Sequence, residues 1–277
     1  MLEGQTGEVQ QWLAGVRKSY GVIPVMLPAV AWNDDLTPWP SGPIFKKGKS
    51  FAGKAEAYLN RLAAEIIPGL EKELEIVPEE RWFVGVSLAG LFGVWSAARM
   101  RLFTRVAAIS GSFWYPGFTD WLPRQTVTAK QVYLSLGDKE PQSKNPHLKQ
   151  IGIQTEAVRS ILQAKGIPTT FEWTEGSHFA PVIPRLNKAL AALAAAASPA
   201  ARATAATVTA ASVATAAATA NVATAAASSA SRTCAAPAVH ARTSAEPVPP
   251  VCAATDTSIN QRLTQPDPSI PEGYQLT

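Results

Sequence analysis

Hydrophobic positions along the first 195 residues fall into two kinds of run, and the two kinds alternate. Val9, Trp12, Leu13 and Val16 recur at three- and four-residue spacing, which predicts an amphipathic helix over 7–20. The following segment, 22–32, is nearly continuous in apolar residues but interrupted by Pro24 and Pro28; it reads as a buried strand and its exit. Helical spacing returns over 53–74. Pro68 should end or kink that helix, because it lacks an N–H and its ring crowds the preceding turn. Short apolar strands are then predicted at 81–86, 105–110, 131–136 and 169–173, with helices at 88–100, 148–165 and from about Pro181. Near-continuous apolar strands separated by helices point to a mostly parallel sheet covered on both faces, so the predicted class is α/β.

The pattern ends at about Ala196, where the composition collapses into Ala, Thr, Ser, Val and Pro. All eight tryptophans precede this point, and Tyr274 is the only aromatic residue after it. Such a segment carries too few large apolar groups to offset the entropy of ordering. The expected division is therefore a single domain over 1–195 and a disordered low-complexity tail over 196–277, either a linker or the product of a reading-frame shift. The tail is neutral: four arginines (202, 232, 242, 262) balance four acids (246, 256, 267, 272), so the net charge of +4 belongs to the body. Lys46, Lys47, Lys49 and Lys54 form the body's one basic knot and read as a solvated loop, not a nucleic-acid site. Both cysteines, Cys234 and Cys252, lie in the tail, so the body has no disulfide or cysteine metal site. No apolar leader opens the chain and no run is apolar enough for a membrane span, which predicts a cytoplasmic protein with no membrane partner.

Candidate chemistry begins with Arg81-Trp-Phe-Val-Gly-Val-Ser-Leu-Ala-Gly90, a strand that runs through small residues into a helix. This is the pattern of a nucleophile elbow, with Ser87 on the sharp turn. The usual spacing is G-x-S-x-G; here Ala89 stands at the last position. A serine hydroxyl needs a base, and of His147, His178 and His240 only the first two precede the tail. His178 is favoured, since it follows the strand 169–173 on a loop at the sheet's carboxyl edge, where catalytic groups collect. A carboxylate between them in the chain would hold the imidazole. Asp138, directly after the strand 131–136, is the first choice and Glu140 the alternative. The Leu88 N–H, beside the nucleophile, is one expected oxyanion donor. Trp32, Asn33, Trp114 and Tyr115 leave neighbouring strands on the same edge and are expected to contact substrate. Asp34 and Asp35 have no histidines near them and read as a cap or turn, so neither a metal nor a cofactor is expected.

The stretch from about Leu2 to Leu190 resembles the esterase family of α/β-hydrolases that includes enterochelin esterase and esterase D. The resemblance rests on Trp32-Asn-Asp-Asp-Leu-Thr-Pro-Trp39, Gly85-Val-Ser-Leu-Ala-Gly90, Arg105-Val-Ala-Ala-Ile-Ser-Gly-Ser-Phe-Trp-Tyr-Pro-Gly117, Leu134-Ser-Leu-Gly-Asp-Lys-Glu140 and Gly176-Ser-His178. It implies an α/β-hydrolase-like sheet and hydrolysis of a small-molecule carboxylic ester through Ser87, Asp138 and His178, by way of an acyl-enzyme. Two alternatives share the scaffold: an inactive remnant or binding module, and an acyltransferase. On this resemblance Met1-Leu-Glu-Gly-Gln5 matches the end of the family's third strand. The first strands would then be missing, the second oxyanion donor would fall at Gly4, and an open sheet edge would be left for a dimer partner.

Overall fold

The computed structural model describes residues 2–27, 31–197 and 206–210. Helix α1 (Leu2–Tyr20) leads into strand β1 (Ile23–Met26), and a short helix α2 (Trp32–Asp35) precedes a two-stranded ribbon, β2 (Pro40–Ser41) and β3 (Phe51–Ala52). A broken helix follows: α3 (Ala55–Arg61), a π-helical turn at Leu62–Ile66, and α4 (Ile67–Glu73). Pro68 sits in the first turn of α4, where its missing N–H is not needed, and the widened turn just before it accommodates its ring. The rest alternates as the apolar pattern predicts. β4 (Arg81–Val86), α5 (Leu88–Arg99) and β5 (Arg105–Ile109) lead to the short helix α6 (Phe118–Trp121) and β6 (Gln131–Gly137). α7 (Pro146–Lys149) and α8 (Ile151–Ala164) divide the predicted single helix at Gln150; β7 (Thr169–Thr174) and α9 (Val182–Ala195) follow.

The main sheet is six-stranded and entirely parallel, in the order β1-β8-β4-β5-β6-β7, where β8 is Ala206–Ala210. Successive strand residues point to opposite faces, which divides the core in two. Phe83, Val106, Ala108, Val132 and Leu134 pack with α3, α5 and α8 on one face. Trp82, Val84, Ala107, Ile109 and Tyr133 pack on the other with Val16 of α1 and Leu186, Leu190 and Leu193 of α9. The second layer is tied by side chains as well: Asn187 of α9 accepts from Trp12 Nε1 at 2.8 Å, and its carbonyl accepts from the Tyr20 hydroxyl at 3.2 Å. Among the described residues, no helix is long and apolar enough to cross a membrane.

Two expectations fail at the sheet. Residues 2–5 are not the end of a strand; they are the first turn of α1, continuous with the amphipathic helix predicted from residue 7. The place beside β4 is taken by β8, which lies within the stretch read as disordered from 196 onward. Its central Thr-Val-Thr is β-branched, which suits a pleated strand, and averaging over an Ala-rich tail hides so short a signal. β8 pairs with both neighbours in register, Val208 opposite Val25 on one side and Phe83 on the other. It is the strand that joins β1 to the rest of the sheet. The domain boundary is also later than 195, because Ala197 is buried against the α9 side of the core. The remaining tail residues lie outside the described residues.

Candidate active site

The carboxyl ends of β4, β5, β6 and β7 lie side by side, and each carries one part of the site. Ser87 follows β4 with φ 59° and ψ −122°, a left-handed conformation that a residue with a Cβ adopts only under strain. Three backbone hydrogen bonds hold it there. Its N–H donates to the Ile109 carbonyl (3.0 Å), and its carbonyl accepts from the N–H groups of Ser112 (3.0 Å) and Leu91 (3.1 Å). The small residues of the motif are required by the close approach of strand and helix. A Cβ on Gly85 would lie 2.3 Å from the Ala89 carbonyl oxygen, and one on Gly90 would lie 2.9 Å from the Gly111 Cα. The methyl group of Ala89 is fully buried and fits, which explains why the last motif position tolerates alanine. The Leu88 N–H opens α5 next to Ser87 as one of the amides that the helix itself does not use.

The loop after β5 touches both halves of the site. Ser112 Oγ lies 3.2 Å from Ser87 Oγ, while Ser110 Oγ donates to Glu140 Oε1. Glu140, not Asp138, receives the imidazole: His178 Nδ1 is 2.8 Å from Glu140 Oε2. Asp138 is exposed and spends its carboxylate on the Gly176 N–H at 2.8 Å, fastening the loop that carries His178. The reason is the turn itself. The chain swings through residues 138–139 into a 3-10 turn over Glu140–Gln142, which points Glu140 back to the Gly137 N–H (2.8 Å). Gly137 leaves room for this, since a Cβ there would lie 2.4 Å from the Gly176 carbonyl oxygen and 3.0 Å from Glu140 Oε1. Burial pushes the Glu140 carboxyl up, but hydrogen bonds from His178, Ser110 and the Gly137 amide outweigh it and hold it below the usual carboxylate range. A carboxylate at Glu140 Oε2 is an acceptor for a hydrogen on Nδ1, and the tautomer that carries it there leaves the Nε2 lone pair a general base requires.

Two residues at the site were not anticipated, Ser110 and Arg185. Arg185 is 5% exposed and projects from α9. Its Nη2 donates to Ser110 Oγ and lies 3.6 Å from Glu140 Oε1, and its Nη1 donates to the His178 carbonyl at 3.4 Å. The signal was present: Arg185 is the one charged residue on the apolar stripe of Leu186, Ala189, Leu190 and Leu193.

Other predicted contacts are placed differently. Gly4 lies in α1, which packs on β1 and α9, so it is not in a loop beside Ser87 and is not the oxyanion donor. Tyr115 is 1% exposed, and its hydroxyl donates to the Trp39 carbonyl at 2.6 Å; it is a packing residue, pushed up to about 12 by burial. Its ring meets those of Trp39, Phe51 and Trp114, which builds an aromatic layer under the loop. Trp32, Asn33 and Trp114 are half-buried. Asp35 accepts from the Ala31 N–H at 2.9 Å and Asp34 from the Ala52 N–H at 3.2 Å, the turn role expected of them. His147 is exposed on α7.

Residues 3–193 match the family model described as Putative esterase. The chain belongs to this family. Among solved structures, esterase-like neighbours include an IroE-like serine hydrolase from Shewanella oneidensis, 18% identical, covering 57% of this chain and 55% of that one with a TM-score of 0.48. The siderophore hydrolase EstB from Aspergillus nidulans is 16% identical over 59% of this chain and 64% of its own, TM-score 0.44. The enterochelin esterase of Shigella flexneri is 19% identical over 49% of this chain and 36% of its own, TM-score 0.42. The chain thus spans little more than half the length of the first of these. No curated protein sequence matches it.

Proposed function

We propose that this protein is a serine carboxylic-ester hydrolase acting on a small-molecule ester through an acyl-enzyme. The observation that carries this reading is the pairing of a strained, elbow-mounted serine with an ionised Glu140–His178 couple on the same sheet edge. In this mechanism His178 Nε2 takes the Ser87 proton as Oγ attacks the ester carbonyl. The C–O bond to the alcohol then breaks, and the imidazolium returns the proton to the departing alkoxide. Glu140 stabilises the transient imidazolium, and the Leu88 N–H donates to the oxyanion. A water molecule, deprotonated by the same imidazole, releases the acid and restores Ser87.

The test is labelling of the purified protein with a fluorescent fluorophosphonate, together with hydrolysis of 4-nitrophenyl esters, for wild type and Ser87→Ala. Labelling and turnover that both vanish in a folded Ser87→Ala variant are expected. Equal turnover in the two proteins would end the reading.

A further inference from the structure

Arg185 has no part in the chemistry just described, yet it is the most deeply buried cation near it, and burying a guanidinium is costly. Its two terminal nitrogens are spent on three groups that belong to three different elements, the Ser110 hydroxyl after β5, the Glu140 carboxylate after β6 and the backbone carbonyl of His178 before α9, while Nε is buried without a hydrogen-bond partner. Two of these are the acid itself and the serine that holds it; the third is the main chain of the base. A methionine or leucine at position 185 would fill the apolar stripe of α9 at no electrostatic cost, so packing alone does not account for an arginine here.

We propose that Arg185 is the positioning residue of the site: clamped between Ser110, Glu140 and the His178 carbonyl, it fixes acid and base relative to each other and places a buried positive charge beside both. This rests on the hydrolase reading above. The fork shape matters for the first role, because its two terminal nitrogens reach different partners. The charge matters for the second. The guanidinium disfavours a second positive charge on the neighbouring imidazole, and this repulsion extends the base-competent state toward lower pH.

The other groups in the surroundings are largely accounted for. Glu172 of β7 pairs with Lys188 of α9 and accepts from the Tyr133 hydroxyl of β6 at 2.9 Å, so that trio is internally matched. Asp138 is bound to the Gly176 amide, the Lys139 N–H donates to the Gly176 carbonyl, and Asp138, Lys139 and Glu175 have side chains exposed to solvent, where their fields are screened. Ser110 contributes no charge. Arg185 is the buried cation that faces Glu140 and His178 together.

The test is the pH profile of kcat/KM for 4-nitrophenyl ester hydrolysis in wild type, Arg185→Met and Arg185→Lys, with folding checked by circular dichroism. Removing the charge should move the midpoint of the acid limb upward by about one pH unit, a roughly tenfold lower kcat/KM on that limb. Arg185→Lys keeps the charge and loses the fork, so its midpoint should stay within about 0.3 unit of wild type while its plateau kcat falls about tenfold. Unshifted midpoints in both variants, or equal shifts in both, would overturn the proposal. Should Arg185→Met not fold, Arg185→Lys decides alone: a wild-type plateau would refute the clamp, and a shifted midpoint would refute the role of charge. If Ser87→Ala retained full activity, the hydrolase reading itself would fail; Ser87-dependent turnover with unaffected Arg185 variants would sink only this proposal.

Discussion

Exchange of Glu140 for glutamine separates the two carboxylates that compete for His178. The Glu140 carboxylate accepts from His178 Nδ1 and the Gly137 N–H, each at 2.8 Å, and from Ser110 Oγ, with Arg185 Nη2 3.6 Å away. A glutamine has one oxygen for these donors. If that oxygen stays with Gly137 and Ser110, the amide NH2 faces Nδ1, which must then accept. Nε2 consequently carries the hydrogen and cannot take the serine proton. A wrong tautomer of this kind costs on the order of 10⁴ in kcat. If the amide flips instead, its NH2 opposes the Gly137 N–H, which leaves a buried donor unpaired at about 1–3 kcal/mol and destabilises the loop. Asp138→Asn is the contrasting case: the exposed side chain keeps a carbonyl for the Gly176 N–H, so turnover should stay within about threefold and stability within about 0.5 kcal/mol. Steady-state hydrolysis of 4-nitrophenyl esters and thermal melts of both variants supply the numbers. An Asp138→Asn enzyme that falls as far as Glu140→Gln, or a folded Glu140→Gln enzyme within tenfold of wild type, would refute this assignment.

Gly85→Ala should abolish the folded protein or lower its Tm steeply, because the new methyl would meet the Ala89 carbonyl at 2.3 Å; Ala89→Gly should fold and cost about 1 kcal/mol in thermal melts. At the opposite edge of the sheet, Glu80 bonds Arg105 Nε (2.7 Å), Lys130 Nζ (2.9 Å) and Trp82 Nε1 (3.0 Å). Burial pushes its carboxyl up, but these three donors bring it from 4.5 down to about 2. A lowered value stabilises the fold above the unfolded carboxyl's pKa, and that stability is lost as pH falls from about 4.5 through about 2. Roughly 3 kcal/mol should therefore disappear from denaturant unfolding across that window in wild type, and not in Glu80→Gln, whose melts at neutral pH would already be lower. Val208→Pro should remove a ladder hydrogen bond from the interior strand β8 and lower the Tm by several degrees, about 2–3 kcal/mol, whereas an unchanged Tm would argue against β8 in the sheet.

What was legible in the sequence was local. Strands 81–86, 105–109 and 131–137 announce themselves because a strand buried on both faces is largely apolar, the half-exposed edge strand 169–174 because it is rich in β-branched and aromatic residues, and Ser87 because an elbow needs small residues at fixed offsets. His178 could be placed from its position after a strand. The choice between Asp138 and Glu140 depended on how a five-residue turn folds back on Gly137, and no periodicity encodes that. Nor does spacing show that Ser110 and Arg185, 75 residues apart, meet at one carboxylate. The strand at 206–210 was missed for a related reason. Its five residues are ordinary for their surroundings, and it is the vacancy between β1 and β4 that makes them a strand.

Helix α9 connects these non-local features. At its start Arg185 binds Ser110, Glu140 and the His178 carbonyl. At its end the Ala196 carbonyl accepts from Arg105 Nη2 at 3.1 Å, and the Ala192 carbonyl accepts from Gln131 Nε2 at 3.1 Å. The same Arg105 is held by Glu80 and by Gln131 Oε1, so the helix C-terminus receives buried donors where its carbonyls lack partners of their own. α9 is thus pinned at both ends of the strands it covers, by β5 and β6 on either side of one apolar stripe. The loop carrying His178 enters this pinned helix, and the chain toward β8 leaves it. The position of His178 and the closure of the sheet beside Ser87 therefore share one mechanical reference, and loosening Arg105 or Gln131 should disturb the candidate site from the far end of the sheet.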